Sequence, residues 1–205
     1  MNPFQQSQLW LRLPVVWAFF GYALLARLAP YVLNDAFGWP LQRAYDAWPW
    51  NFSPLYALAI LGGAAFSWRL ALAAPLAVFV IGDLMIAAIS GDKWGFYGAQ
   101  AFTYLGIVYV AACGLPLRSG TSPVRIAAAG LGGATVFFLV TNLGVWLTGG
   151  GFSRPWTPAG LAACFVDAIP FYGPTVLSMA VFLPVLFSPM VLRSSEPLHH
   201  EEVVV

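Results

Sequence analysis

Asp83 is the clearest charge inside an apolar stretch, in VFVIGDLMIAA. Placed in a membrane, a carboxylate there costs a few kcal/mol unless it faces a cavity or a partner. Two roles fit. One is structural: capping a neighbouring segment, or pairing with Lys93 or Arg154. The other is a ligand or proton site. On a later segment, FFLVTNLGVWL, Asn142 and Trp146 are four apart and so share one helix face. Asn142 offers both donor and acceptor, which suits orienting a small polar ligand. It suits equally an interhelical hydrogen bond, worth ~0.6 kcal/mol in a membrane. Tyr97, Gln100, Thr103 and Tyr104 form a polar stripe confined to the first half of their helix, and GIVYVAACGL below it is nearly apolar. A channel needs polar groups along its full depth. Polarity that fades halfway fits a pocket open at one end and closed below.

Other candidates carry less. Asn51 or Ser53 in PWNFSP suits an N-cap, with Pro54 in the first turn. Trp94, in KWGF, lies beside the expected pocket mouth. Asp167, in CFVDAIPF, can face either pocket or water. Cys113 and Cys164 lack CxxC spacing and read as small buried hydrophobes. The only histidines, His199 and His200, sit in the polar tail SSEPLHHEE, so no membrane-embedded haem or His-ligated metal, and no cofactor, is expected. No Ser–His pair can form within the membrane. Paired-carboxylate chemistry would need Asp167 as the second acid, on a segment too short to span. The chain is not expected to be an enzyme. A net charge of +1 without a basic patch argues against nucleic acid.

The elements that position these residues are membrane helices. Residues 94–117, 126–153 and 168–192 carry no charge, and each is about as long as the ~20 residues needed to cross a bilayer. The chain is 60% hydrophobic and 8% charged, against about 25% charged in soluble domains. Residues 1–9 hold no Lys or Arg, so the N-terminus reads as leading into the first span and not as a cleaved signal. The pattern predicts an all-α membrane protein, a single transmembrane domain over 1–193 with six spans near 13–33, 53–68, 70–90, 97–117, 125–148 and 172–192. A polar tail follows over 194–205. Residues 158–170 read as a short extra helix between the fifth and sixth spans, re-entrant or interfacial, ending at Pro170. Arg27 interrupts the first span and is expected to snorkel toward an interface.

Arg12, Arg69, Arg118, Arg125 and Arg193 fall on one side, against Arg43, Lys93 and Arg154, or four with Arg27, on the other. That bias places both termini in the cytoplasm. Six of the nine tryptophans (Trp39, Trp48, Trp50, Trp94, Trp146 and Trp156) gather at the outer end, which has the long 34–52 connection. An aromatic belt accounts for part of this, but a belt decorates both faces, and the excess suggests a capped outward cavity. Small residues at Ala59 and Gly63, at Ala73 and Ala77, and through AAAGLGGA let helices approach closely, within one bundle or against another protein.

NFSPLYALAILGGAAF (51–66), GDL around Asp83, TNLGVW (141–146) and GLAACFVDAIPF (160–171) resemble a family of small six-helix bacterial inner-membrane proteins, described as uncharacterised or putative transport proteins. The resemblance covers about 51–190. That family is similar to the S components of energy-coupling-factor (ECF) transporters. The resemblance implies an S-component-like bundle in the bacterial inner membrane that binds a vitamin or metal ion beneath its outer loops. A transmembrane coupling protein and ATPase subunits would drive release, which agrees with the lack of a P-loop here. AFFGYALLARLA (18–29) departs from the Ala-xxx-Ala face that S components often carry on helix one.

The expected function is substrate binding for a small-molecule uptake system, with a vitamin-like, cationic or aromatic ligand. The expected site is Asp83, Gln100, Tyr104, Asn142 and Trp146, with Asn51 and Trp94, under a lid from 34–52; outer aromatics would supply cation–π contact. The alternatives are a non-transporting scaffold that docks other membrane proteins and, further off, an intramembrane enzyme. The expected partners are the lipid bilayer, the solute and the coupling subunits.

Overall fold

The computed structural model describes residues 14–40, 43, 51–91, 95–149 and 154–188. Trp94, Trp48, Trp50, Lys93, residues 41–42 and 44–50 of the 34–52 connection and the 194–205 tail lie outside them. Among the described residues there are six α-helices and no strand. They are α1 (Pro14–Phe37), α2 (Leu55–Ala65), α3 (Trp68–Ser90), α4 (Gln100–Cys113), α5 (Pro123–Thr148) and α6 (Pro158–Leu186), with a 3-10 turn (Leu115–Ser119) after α4. Five are long and apolar enough to cross a membrane: α1, α3, α4 with its 3-10 turn, α5 and α6. Their outer faces carry Leu25, Ile81, Leu84, Leu131, Val166 and Leu177, each at least half exposed. In water that surface would aggregate; facing lipid it is at rest. The chain is a multi-pass membrane protein.

The helix at the centre is the short one. α2 has 11 residues and ten of them are buried. Its sequence, LYALAILGGAA, is apolar on every side, and a helix of that kind belongs inside a bundle. It packs on all five other helices. At 1.5 Å per residue it is about 16 Å long, roughly half the hydrocarbon core. Its depth follows from its contacts. Arg118 donates from Nε to the Gly63 carbonyl and from Nη2 to the Phe66 carbonyl, both at 2.7 Å, closing the C-terminal end of α2 against the 3-10 turn. At the other end Tyr56 meets Phe137, at mid-length of α5, with ring centroids 4.8 Å apart. Just before α2, Asn51 Nδ2 donates to the Phe171 carbonyl, at mid-length of α6. The second span of the sequence reading is therefore a half-length helix that begins at mid-depth.

Backbone contact holds α2 on α4. A Cβ on Gly63 would lie 1.9 Å from the Ala111 carbonyl oxygen, and one on Gly114 would lie 2.0 Å from that of Ile60. No side chain fits at either position. Elsewhere the helices start where caps allow. Ser122 accepts from the Arg125 amide before α5, and Thr157 accepts from the Gly160 amide before α6, each followed by Pro at the first helical position.

The short extra helix is corrected. Residues 158–186 form one continuous helix of 29 residues that carries Pro170, Pro174 and Pro184 inside it. In a soluble helix Pro170 would be a stop. Here packing and side-chain donors hold the helix together. In the turn that Pro174 disturbs, the Phe171 carbonyl accepts from Thr175 Oγ1 at 3.0 Å and from Asn51 Nδ2 at 3.2 Å. Proline is tolerated in membrane helices for this reason.

Candidate functional site

α3 buries Ala71, Pro75, Phe79, Gly82, Asp83, Ile86 and Ala87, a stripe at helical spacing, and turns Ile81, Leu84 and Met85 outward. Asp83 lies on the buried stripe and has no exposed surface. On α4 the buried face begins with Gln100 and Thr103. The two faces meet at the carboxylate. Gln100 Nε2 donates to Asp83 Oδ2, and Tyr104 Oη donates to the same oxygen at 2.7 Å.

The other carboxylate oxygen is held by Arg27. Its Nη2 donates to Asp83 Oδ1 in an ion pair between α1 and α3. Sequence reading sent Arg27 toward an interface and offered Lys93 or Arg154 to Asp83. Instead Arg27 turns inward, and Arg154 pairs with Asp167 through Nε at 2.9 Å and through Nη2. Lys93 lies outside the described residues. Gly82 makes the inward turn feasible, because a Cβ there would lie 2.7 Å from Arg27 Cδ. The guanidinium carbon also sits 4.6 Å from the centroid of the Phe79 ring.

The connection after α3 closes over this cluster. Gly95 has φ +114°, a backbone region that disfavours side chains, and a Cβ on it would lie 2.6 Å from the Asp83 carbonyl oxygen. Beyond it, the Tyr97 hydroxyl meets Thr103 Oγ1 at 2.6 Å. The polar stripe thus turns to the cluster: Gln100 and Tyr104 to Asp83, Thr103 to Tyr97.

The remaining candidates are elsewhere. Asn142 Nδ2 donates to the Phe138 carbonyl of its own helix at 2.7 Å. Trp146 Nε1 donates to the Pro155 carbonyl at 3.0 Å, tying the end of α5 to the start of α6. Neither shares a hydrogen bond with Asp83. Asn51 serves the Phe171 carbonyl, while Ser53 Oγ accepts the Leu55 amide at 3.3 Å and so takes the capping contact. Trp94 lies outside the described residues. The structure therefore joins Asp83, Gln100 and Tyr104 by hydrogen bonds, adds Arg27, and gives Asn142, Trp146 and Asn51 other partners.

Among the described residues, two buried polar atoms of the cluster have no partner: Gln100 Oε1 and Arg27 Nε. One is an acceptor and the other a donor. Buried groups of this kind normally find a partner, in protein, water or ligand. Among the described residues, no three or more His, Cys, Asp or Glu side chains gather in a way that would hold a metal.

Residues 7–199 match a family of unknown function, DUF6580, and the chain belongs to it. No curated protein and no solved structure matches it.

Proposed function

We propose that this DUF6580 protein is a membrane-embedded solute-binding subunit, and that the solute sits against the Arg27–Asp83–Gln100–Tyr104 cluster. The carrying observation is the pair of unpartnered buried atoms, Gln100 Oε1 and Arg27 Nε, inside an apolar bundle. Intramembrane ionisable residues are rare and cluster at solute and ion pathways. Two further features support the reading. The cluster lies toward one end of the bundle, and α2 blocks the other half with an apolar plug. The likeness of 51–190 to S-component relatives points the same way. In this reading the Asp83 end faces outward in a bacterial inner membrane, and partner proteins with ATPase subunits move the solute onward. Native mass spectrometry of the gently extracted protein tests it. A co-purifying small molecule, lost in Asp83→Asn, is the expected result. A wild-type chain that carries no adduct and gains no thermal stability from a vitamin and amine panel overturns it.

A second reading has one observation in its favour. Both Asp83 oxygens are taken by the chain's own donors, as in a purely structural knot. The protein would then be a scaffold that docks other membrane proteins. Retention of a partner protein by both wild type and Asp83→Asn, with no small-molecule adduct, is the result that favours it.

A further inference from the structure

The cluster's charge and its two open valences constrain what it can hold. Arg27 and Asp83 form an ion pair with one positive and one negative charge. Asp83 is fully buried, and its oxygens accept from Arg27, Gln100 and Tyr104. A cationic solute would need that carboxylate and would have to displace Arg27 from it. An anionic solute would either take Arg27 and strand Asp83, or share Arg27 and set a second negative charge against one guanidinium. Each of these leaves a buried charge uncompensated, the costly outcome in a low-dielectric site. The described ring nearest the pair already serves a cation: Phe79 carries Arg27 at 4.6 Å. Tyr104 stands edge-on to Phe79, with centroids 6.5 Å apart.

Among the described residues, the buried atoms of the cluster left without a partner are one acceptor and one donor. Gln100 is 7% exposed, its Nε2 is spent on Asp83, and its Oε1 is unmatched. Arg27 is bound to Asp83 through Nη2, and its Nε is unmatched. Resting on the solute-binding reading above, we propose that the solute is neutral and presents a hydrogen-bond donor beside an acceptor, as a carboxamide or cyclic urea does. Its N–H donates to Gln100 Oε1 and its carbonyl oxygen accepts from Arg27 Nε, and the Arg27–Asp83 pair stays intact.

Three isosteric probes separate the charge classes: benzamide, benzamidinium and benzoate have one shape and carry zero, positive and negative charge. The measurement is the thermal unfolding midpoint of the full chain in detergent micelles, titrated with each probe. A ligand that binds only the folded state raises the midpoint in proportion to log concentration once saturating. The expected result is a rise with benzamide alone, lost in Gln100→Met, which keeps the side-chain length and removes Oε1. Saturation-transfer NMR on the wild-type chain decides the matter should that variant fail to fold: benzamide signals attenuate, and excess benzamidinium or benzoate does not restore them. Stabilisation by benzamidinium or benzoate overturns the neutral class and leaves solute binding standing. Stabilisation by benzamide that survives Gln100→Met also overturns the proposal, because the contact then lies elsewhere. No effect from any probe overturns the proposal; the solute-binding reading falls with it only where native mass spectrometry also finds no adduct, leaving the two atoms to a buried water.

Discussion

Asp83 and Arg27 are each other's counter-charge across α1 and α3, and removing one leaves the other stranded. Breaking a buried pair from one side costs about 3–5 kcal/mol, whereas replacing both members with apolar groups is often close to neutral. Arg27→Met and Asp83→Leu should each lower the unfolding midpoint sharply, and the double variant should recover most of the loss. The four proteins form a cycle, and simple additivity of the two losses would show that the pair is not coupled. Three of the cluster's four residues were legible in the sequence. Asp83 was legible because it breaks an apolar run, and Gln100 and Tyr104 because they are four apart on the polar stripe of the next helix. Arg27 was misread because its long stem suggests snorkelling. In α1 it lies about 20 Å from Pro14 and about 15 Å from Phe37 at 1.5 Å per residue, too deep for either end. Asn142 looked available because its sequence does not reveal that its own helix supplies the Phe138 carbonyl.

At the scale of elements, α2 is held by contact without side chains and by a guanidinium at its end. Gly63→Ala and Gly114→Ala must push α2 and α4 apart, since each new Cβ meets a backbone oxygen at 2 Å or less. Overpacking of this kind costs about 1–3 kcal/mol. Gly21→Ala and Gly132→Ala, where a Cβ meets nothing within 4 Å, are the controls and should leave thermal stability unchanged or raise it. Equal losses in both sets would sink the close-contact account. Arg118→Leu should cost about 1 kcal/mol by uncapping the Gly63 and Phe66 carbonyls. Charge-free length made α4, α5 and the second half of α6 legible, because a span in lipid must be long and apolar. The sequence does not reveal how a proline is accommodated. Pro170 reads as a stop, yet α6 runs through it. Pro170→Ala restores a donor to that helix, so stability should hold or rise; a marked fall in the unfolding midpoint would mean that the ring itself shapes the bundle.

The whole molecule has a sidedness that its contacts fix without reference to any membrane. α5 leaves the Arg118 end and α6 returns to it, since a Cβ on Gly130, early in α5, would meet Leu183, late in α6. α1 starts at that same end, because Phe19 lies on Phe182 with ring centroids 5.1 Å apart. Pro14 and Leu186 are therefore neighbours in depth, and Arg69, Arg118 and Arg125 flank them. The opposite end holds the Arg154–Asp167 pair and Trp156, which is 75% exposed. Basic residues favour the cytoplasmic side, so the Arg118 end should face inward. Single cysteines test this in a chain whose Cys113 and Cys164 are replaced by alanine. In intact spheroplasts, a membrane-impermeant maleimide should label Trp156→Cys directly and Thr121→Cys only after the membrane is opened. Labelling of both positions from one side would refute the crossing pattern. Labelling of Thr121→Cys alone would keep the bundle but invert it, and would turn the Asp83 cluster from uptake toward the cell interior.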